Sequence, residues 1–227
     1  PFFYNSLRIY MIPRIIHQIF NLFDDGKTLE DYPIMVECST HNERWCDENP
    51  TYTYCYLRWD KVKCDALIRD HFPEYLQVWE DFTQPIQRVD FARYCILHTF
   101  GGIYVDMDIK IIRDLEPLLH NPHFFTTWND DARKLPYNAV MGSEPDQQVF
   151  RDIIQHSKDS FYEKLQIDIY RTWVGRFVFQ TGHFMLQRVL KKHAIETMDL
   201  LKINTKNGNI VSGPNPFFED WNISSWY

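Results

Sequence analysis

Blocks of apolar residues with two different periods run along this chain. Residues 12–20 (IPRIIHQIF) are apolar and β-branched, and read as a buried strand. A polar loop with Asp-Asp-Gly follows over 21–31. Residues 36–49 carry a helical pattern stopped by Asn-Pro. Residues 52–59 (YTYCYLRW) form an aromatic second strand, and 64–71 and 75–82 are short helices split by Pro73. The clearest helix covers 85–100. Pro85 sits near its start, where a missing N–H costs little, Gly101-Gly102 closes it, and Ile86, Val89, Ala92, Ile96 and Phe100 keep helical spacing. Residues 103–109 (IYVDMDI) read as a short strand. Helices are expected over 146–165 and 181–193, late strands over 200–203 and 209–212, and an irregular tail over 214–227. Strands alternating with helices predict an α/β fold with a mainly parallel or mixed sheet flanked by helices.

The length, 227 residues, suits one domain. A net charge of −7 disfavours a nucleic-acid reader, which normally carries a basic face. A small anionic ligand stays possible, because a bound cation inverts the local sign. The five cysteines (Cys38, Cys46, Cys55, Cys64 and Cys95) include no C-x-x-C pair, which argues against a zinc ribbon and a paired disulfide framework. No apolar run reaches the roughly 18 residues of a membrane span, and the opening stretch is too polar for a signal peptide.

The chemistry concentrates after the Gly-Gly stop. On one strand, Asp106 and Asp108 would project from the same face, roughly 6.7 Å apart, with Met107 pointing into a core. Paired carboxylates are costly without a cation between them, and hard oxygen donors select Mg²⁺ or Mn²⁺. Such an ion bridges diphosphate oxygens. Alone, D-x-D more often describes a solvated strand end; its place after an apolar strand, where α/β folds gather ligands, adds weight. Asp90 and Arg93 share a face of the preceding helix. They are either a surface ion pair or a pair in which Arg93 meets phosphate oxygens or orients Asp90 toward sugar hydroxyls.

Residues 88–109 (RVDFARYCILHTFGGIYVDMDI) resemble the core motif of the DXD-containing sugar-binding glycosyltransferases, which include fungal initiating α-1,6-mannosyltransferases and inositol phosphoceramide mannosyltransferases. The glucosylating domains of large clostridial toxins are similar at greater distance. IPRIIHQIF, YCYLRWD, NAVMGSEPDQ, QTGH and SSW fall in the family's order, so the resemblance spans nearly the whole chain. It implies a GT-A-like nucleotide-sugar-binding domain with retention at the anomeric carbon. On that reading residues 12–115 bind the nucleotide sugar, 116–213 form the acceptor side and 214–227 the C-terminal lid. Asp108 is implied as the direct metal ligand and Asp106 as its support at the ribose. Asp90 and Arg93 would grip the sugar, and Phe20 would stack on the base. Ser224 and Trp226 would meet the β-phosphate, and Tyr104 is counted among the donor-binding residues. The family's histidine before the S-W is missing here, so Asp220, Asn222 or water must substitute as third ligand.

On the acceptor side the resemblance implies Asn138, which could equally be a turn residue. His183 replaces the proline of the usual T-G-P and is an acceptor residue or a plain helix-start histidine. Trp45, Trp59, Trp79 and Trp128 read first as core, as does His17; of the four, Trp128, in a polar stretch, is the best candidate for stacking on an acceptor sugar. The expected reaction moves a hexose from GDP-mannose or a UDP-hexose to a hydroxyl of a glycan, lipid or protein, with Mn²⁺ or Mg²⁺. A nucleotide-sugar hydrolase and a degenerate, non-catalytic binding domain are the rivals. The odd cysteine count and a sequon at Asn222 inside the lid point to a cytoplasmic setting, with a removed Golgi-type anchor left open.

Overall fold

The computed structural model describes residues 11–20, 22, 26–130, 133–164, 179–204, 210–212 and 215–221. The chain opens with β1 (Ile15–Ile19), α1 (Pro33–Asp47), β2 (Cys55–Trp59), α2 (Lys61–His71) and α3 (Leu76–Asp81). Then come α4 (Pro85–Phe100), β3 (Gly102–Val105), β4 (Ile109–Ile111), α5 (Glu116–Leu119), β5 (His123–Asp130) and β6 (Arg133–Ser143). The remaining elements are α6 (Gln148–Lys164), α7 (His183–Lys192), β7 (Leu201–Asn204), β8 (Ile210–Ser212) and β9 (Phe218–Asp220).

These build two sheets. The first has the order β2-β1-β3-β6-β5. β1 is parallel to both β2 and β3, while β6 runs antiparallel to β3 and β5. The second has the order β4-β9-β7-β8. Alternation along the strands splits the first sheet's side chains between two cores. Tyr104, Phe125 and Met141 join the helices α2, α3, α4, α6 and α7. Ile103, Val105, Phe124 and Val140 face the second sheet with Ile109, Leu201, Ile203 and Phe218. The inner strands β1 and β3 are therefore buried on both faces, as their apolar sequences require, while the outer strand β2 is largely exposed.

Two sequence expectations need correction. IYVDMDI is not one strand: β3 ends at Val105, and β4 belongs to the other sheet. The chain must turn to pass between sheets, and the Ile109 N–H closes that turn on the Asp106 carbonyl at 3.1 Å. The tail is not irregular throughout, since Phe218–Asp220 forms β9 between β4 and β7. Three residues carry too short a pattern to announce a strand whose partners are distant in sequence. The β5–β6 hairpin also went unread: Pro136 sits inside β6, where proline normally argues against a strand, and faces Thr127 near the register shift at Phe125/Thr126.

The Gly-Gly link has a steric cause. Gly101 and Gly102 have φ of +63° and +88°, in the region that favours glycine. A Cβ on Gly102 would also lie 2.6 Å from the Ile15 carbonyl oxygen. That close approach sets β3 directly beside β1.

Candidate functional site: an acid turn on a buried arginine

Parallel β1 and β3 end at the same edge of the first sheet, so Phe20 and Asp106 both emerge there. The Asp106-Met107-Asp108 turn is pinned from several directions. The Asp106 N–H donates to the Ala139 carbonyl at 2.8 Å, and Gln18 Nε2 donates to the Asp106 carbonyl at 3.0 Å. Gln18 is itself held by the Tyr56 hydroxyl at 2.7 Å. The Trp221 N–H donates to the Asp108 carbonyl at 3.0 Å. Beyond the turn, the buried Asn42 of α1 acts as a strand partner for β4: Nδ2 donates to the Ile109 carbonyl (2.8 Å) and Oδ1 accepts from the Ile111 N–H (2.9 Å). Met107 is buried, as its place in the pattern implied.

Behind the turn lies an ionic cluster. Arg93 is only 2% exposed, so the surface-pair reading fails. Its Nη2 lies 3.2 Å from Asp90 Oδ1 and its Nη1 3.3 Å from Asp106 Oδ1. Nη1 also donates to the Asn138 carbonyl at 2.7 Å, and the guanidinium stacks over Tyr104 at 4.7 Å. The Tyr104 hydroxyl donates to Asp106 Oδ1 at 2.7 Å. Burial pushes the Asp90 carboxyl up to about 6, with Arg93 pulling the other way. Burial likewise raises Asp106 against the pull of Arg93 and Tyr104. Desolvation thus outweighs one guanidinium shared by two acids. The Asp106 side chain keeps 24% exposure, so one end of the cluster is open.

Comparison with known proteins gives this arrangement a family. Residues 36–125 match the family described as glycosyltransferase sugar-binding region containing DXD motif, and this span holds Asp90, Arg93, Asp106 and Asp108. Two mannosyl phosphorylinositol ceramide synthases of Saccharomyces cerevisiae are each 31% identical over 183 residues, covering 81% of this chain and 43% of theirs. An inositol phosphoceramide mannosyltransferase of Schizosaccharomyces pombe is 35% identical over 112 residues, 49% of this chain and 28% of its own. The chain thus carries a DXD-containing glycosyltransferase sugar-binding region over residues 36–125. It spans less than half the length of these relatives. Among solved structures, the PaToxG glycosyltransferase superposes with a TM-score of 0.52 at 13% identity, covering 81% of this chain and 70% of its own. The fold is accordingly the GT-A-like arrangement that the resemblance implied.

In this glycosyltransferase domain the expected residues fall into groups. Asp90, Arg93, Tyr104, Asp106 and Asn138 form one connected cluster. Asn138 is buried in β6, not in a turn, and its Nδ2 donates to Asp90 Oδ1 at 2.8 Å. Phe20 is half-buried against Tyr32, with ring centroids 6.1 Å apart. His183 opens α7 beside the Phe184 ring, and burial lowers its basicity. Asn222, Ser224 and Trp226 lie outside the described residues. Trp128 is in β5, opposite Leu135, with its side chain outside the description. His17 is a core histidine: it accepts from Trp59 Nε1 at 3.1 Å, faces the Gly101 carbonyl at 2.9 Å, and burial drops it to about 4.

Sequence reasoning missed Gln18, Asn42, Tyr94 and Thr181. Tyr94 had a signal, since it lies one helical turn beyond Asp90. Gln18, Asn42 and Thr181 act across long sequence separations and had none.

Among the described residues no three His, Cys, Asp or Glu side chains are grouped to cage a metal. Two carboxylates at an open turn still fit a hard divalent cation of the kind completed by substrate phosphates and water. All five cysteines are free, and Cys38, Cys46, Cys64 and Cys95 are buried, so none offers an accessible soft ligand beyond the exposed Cys55. No described helix is long and apolar enough to cross a membrane.

Proposed function

We propose that this domain transfers a hexose from a nucleotide-diphosphate sugar to a hydroxyl acceptor, with Mn²⁺ or Mg²⁺ at the acid turn and with retention of configuration. Mannose is the sugar first in line, because the curated relatives are named as mannosyl transfer enzymes. Their names also make an inositol-phosphate lipid the first acceptor to try. One observation carries the proposal: a buried arginine shared by Asp90 and Asp106 leaves the cluster net negative, beside Asp108 on an open turn.

Asp108 and Asp106 would hold the cation, with Asn222 or Asp220 as a further protein oxygen. Bound there, the cation supplies charge neutralisation for the departing diphosphate. Phe20, at the same sheet edge, would carry the nucleotide base, and Ser224 and Trp226 the β-phosphate. Arg93 already faces protein oxygens at Asp90, Asp106 and Asn138, which favours a role in orienting the acids over direct contact with phosphate. Asp90, fixed at both oxygens, is suited to accepting sugar hydroxyl protons in hydrogen bonds. That engagement suits orientation better than proton abstraction from an acceptor, in keeping with retention. Asn138, His183 and Trp128 are the acceptor-side candidates.

The test is transfer from GDP-mannose and from UDP-glucose with Mn²⁺, with the product anomer read by NMR. Asp108→Asn should lose about 100-fold or more in kcat/KM. Wild-type activity in that variant at saturating donor would remove the proposal.

A further inference from the structure

The stretch that enters α7 has a polar job that the donor reading of Asp90 does not use. Thr181 is fully buried, and its Oγ1 donates to Asp90 Oδ2 at 2.9 Å. Its carbonyl accepts from the Tyr94 hydroxyl at 2.7 Å. That hydroxyl in turn accepts from Asn138 Nδ2 at 3.0 Å, and Asn138 Nδ2 donates to Asp90 Oδ1 at 2.8 Å. The bonds close a ring through Asp90, Thr181, Tyr94 and Asn138.

The ring has one consistent proton order. An ionised Asp90 accepts only, so the Asn138 amide nitrogen must face it. The Tyr94 proton points to the Thr181 carbonyl, leaving an oxygen lone pair for the second Asn138 N–H. Both amide hydrogens of Asn138 are then engaged, and Asp90 is gripped at each oxygen by a different element. The backbone of Thr181 is fixed in parallel. Gln87 of α4 donates to the neighbouring Gln180 at 2.6 Å, and both amides are buried.

Packing alone does not explain the hydroxyl. Valine has nearly the same shape and carries no buried polar atom, so a fully buried threonine is favoured only where its hydroxyl has a partner. Here the partner is a carboxylate, which strengthens the bond.

We propose that Thr181 is a positioning residue for the donor sugar: its hydroxyl, backed by Tyr94 and Asn138, fixes the Asp90 carboxylate so that the remaining acceptor capacity of Asp90 points at sugar hydroxyls. This rests on Asp90 meeting the sugar and goes beyond it by naming what holds Asp90. Thr181 acts through Asp90 and has no direct part in the chemistry. The diphosphate is held at the other end of the cluster, at Asp106 and Asp108, so nucleotide and sugar binding separate.

Isothermal titration with Mn²⁺ present compares GDP-mannose and UDP-glucose with GDP and UDP for wild type, Thr181→Val, Thr181→Ser and Tyr94→Phe. Thr181→Val should weaken the nucleotide sugar by about 10- to 100-fold. It should leave the nucleoside diphosphate within about twofold, because that corner is untouched. Thr181→Ser should recover to within about threefold of wild type. Tyr94→Phe, which removes the far hydroxyl without adding volume, should show the same split at smaller size, and it carries the test if the valine variant does not fold. Equal weakening of both ligands, an unaffected valine variant, or a serine variant as poor as the valine one would each overturn the proposal while leaving the transferase reading in place. A wild-type protein that binds neither nucleotide sugar would overturn both.

Discussion

Arg14 and Arg93 are built from the same parts and come out differently. Arg14 meets a single carboxylate, Glu116, with Nε and Nη2 each 2.7 Å from an oxygen. Tyr54 donates its hydroxyl to Glu116 at 2.9 Å, and the guanidinium stacks over Tyr52 at 4.3 Å. The pair is charge-balanced and partly wet, with side-chain exposures of 28% and 13%. Arg93 also has a tyrosine hydroxyl and a stacked ring nearby, but divides itself between Asp90 and Asp106 at 3.2 and 3.3 Å. The Arg14 hydrogen bonds hold Glu116 below its ordinary range, whereas burial lifts Asp90 and Asp106 above theirs. A closed, neutral pair serves as a tie between the lead-in to β1 and α5. An acid excess partly kept out of water at a sheet edge is costly until a proton or a positive charge completes it, and this contrast is the physical reason for placing a cation there.

The contrast can be broken by mutation. Arg93→Met strips the guanidinium shared by Asp90 and Asp106 and should cost about 3–5 kcal/mol in urea unfolding, with transfer lost. Asp90 gives the next effect, through pH. Its folded pKa, about 6, stands above the ordinary 3.8, so its ionisation opposes folding. That favourable balance is complete below the ordinary value and is lost as pH rises through 6, by about 3 kcal/mol. Asp90→Asn should flatten this fall in the metal-free protein, measured by urea unfolding between pH 4 and 7. Glu116 has the opposite sign: its contribution is present above the ordinary carboxylate range and fades as pH falls through its lowered pKa.

Smaller effects sharpen the same comparison. Tyr104→Phe removes a hydroxyl bond to a part-buried acid and should cost about 2 kcal/mol, while Tyr54→Phe on the wetter side should cost about 1 kcal/mol. Both are read from chemical denaturation midpoints at constant slope. Arg14→Met should be smallest, about 1 kcal/mol or less, because its ion pair is partly solvated. An Arg14 variant as damaging as the Arg93 one would erase the distinction between the two sites.

What could be read from the chain beforehand was local. The helix 85–100 carried its own period, its proline and its Gly-Gly stop, and it stands as α4 (Pro85–Phe100). With it came Asp90 and Arg93 on one face and the acids after the stop. The structure added burial, because whether a pair at helical spacing faces water or a core depends on what packs over it, here β3, β6 and the segment before α7. The same cause hid the turn in IYVDMDI. Nothing local says that Val105 and Ile109 belong to different sheets, since that follows from β9, more than a hundred residues later. Thr181 and Asn42 were silent for this reason too: a threonine before a helix and an asparagine within one look ordinary until their partners are known.

The central claim is that the acid turn binds a divalent cation together with a nucleoside diphosphate. Titration of Mn²⁺ followed by electron paramagnetic resonance, with GDP or UDP present, measures it directly. Wild type should take up one Mn²⁺ per chain, with nucleotide and metal each tightening the other, and Asp108→Asn should weaken that uptake by about 100-fold. Uptake that ignores the nucleotide, or that survives intact in Asp108→Asn, would contradict it.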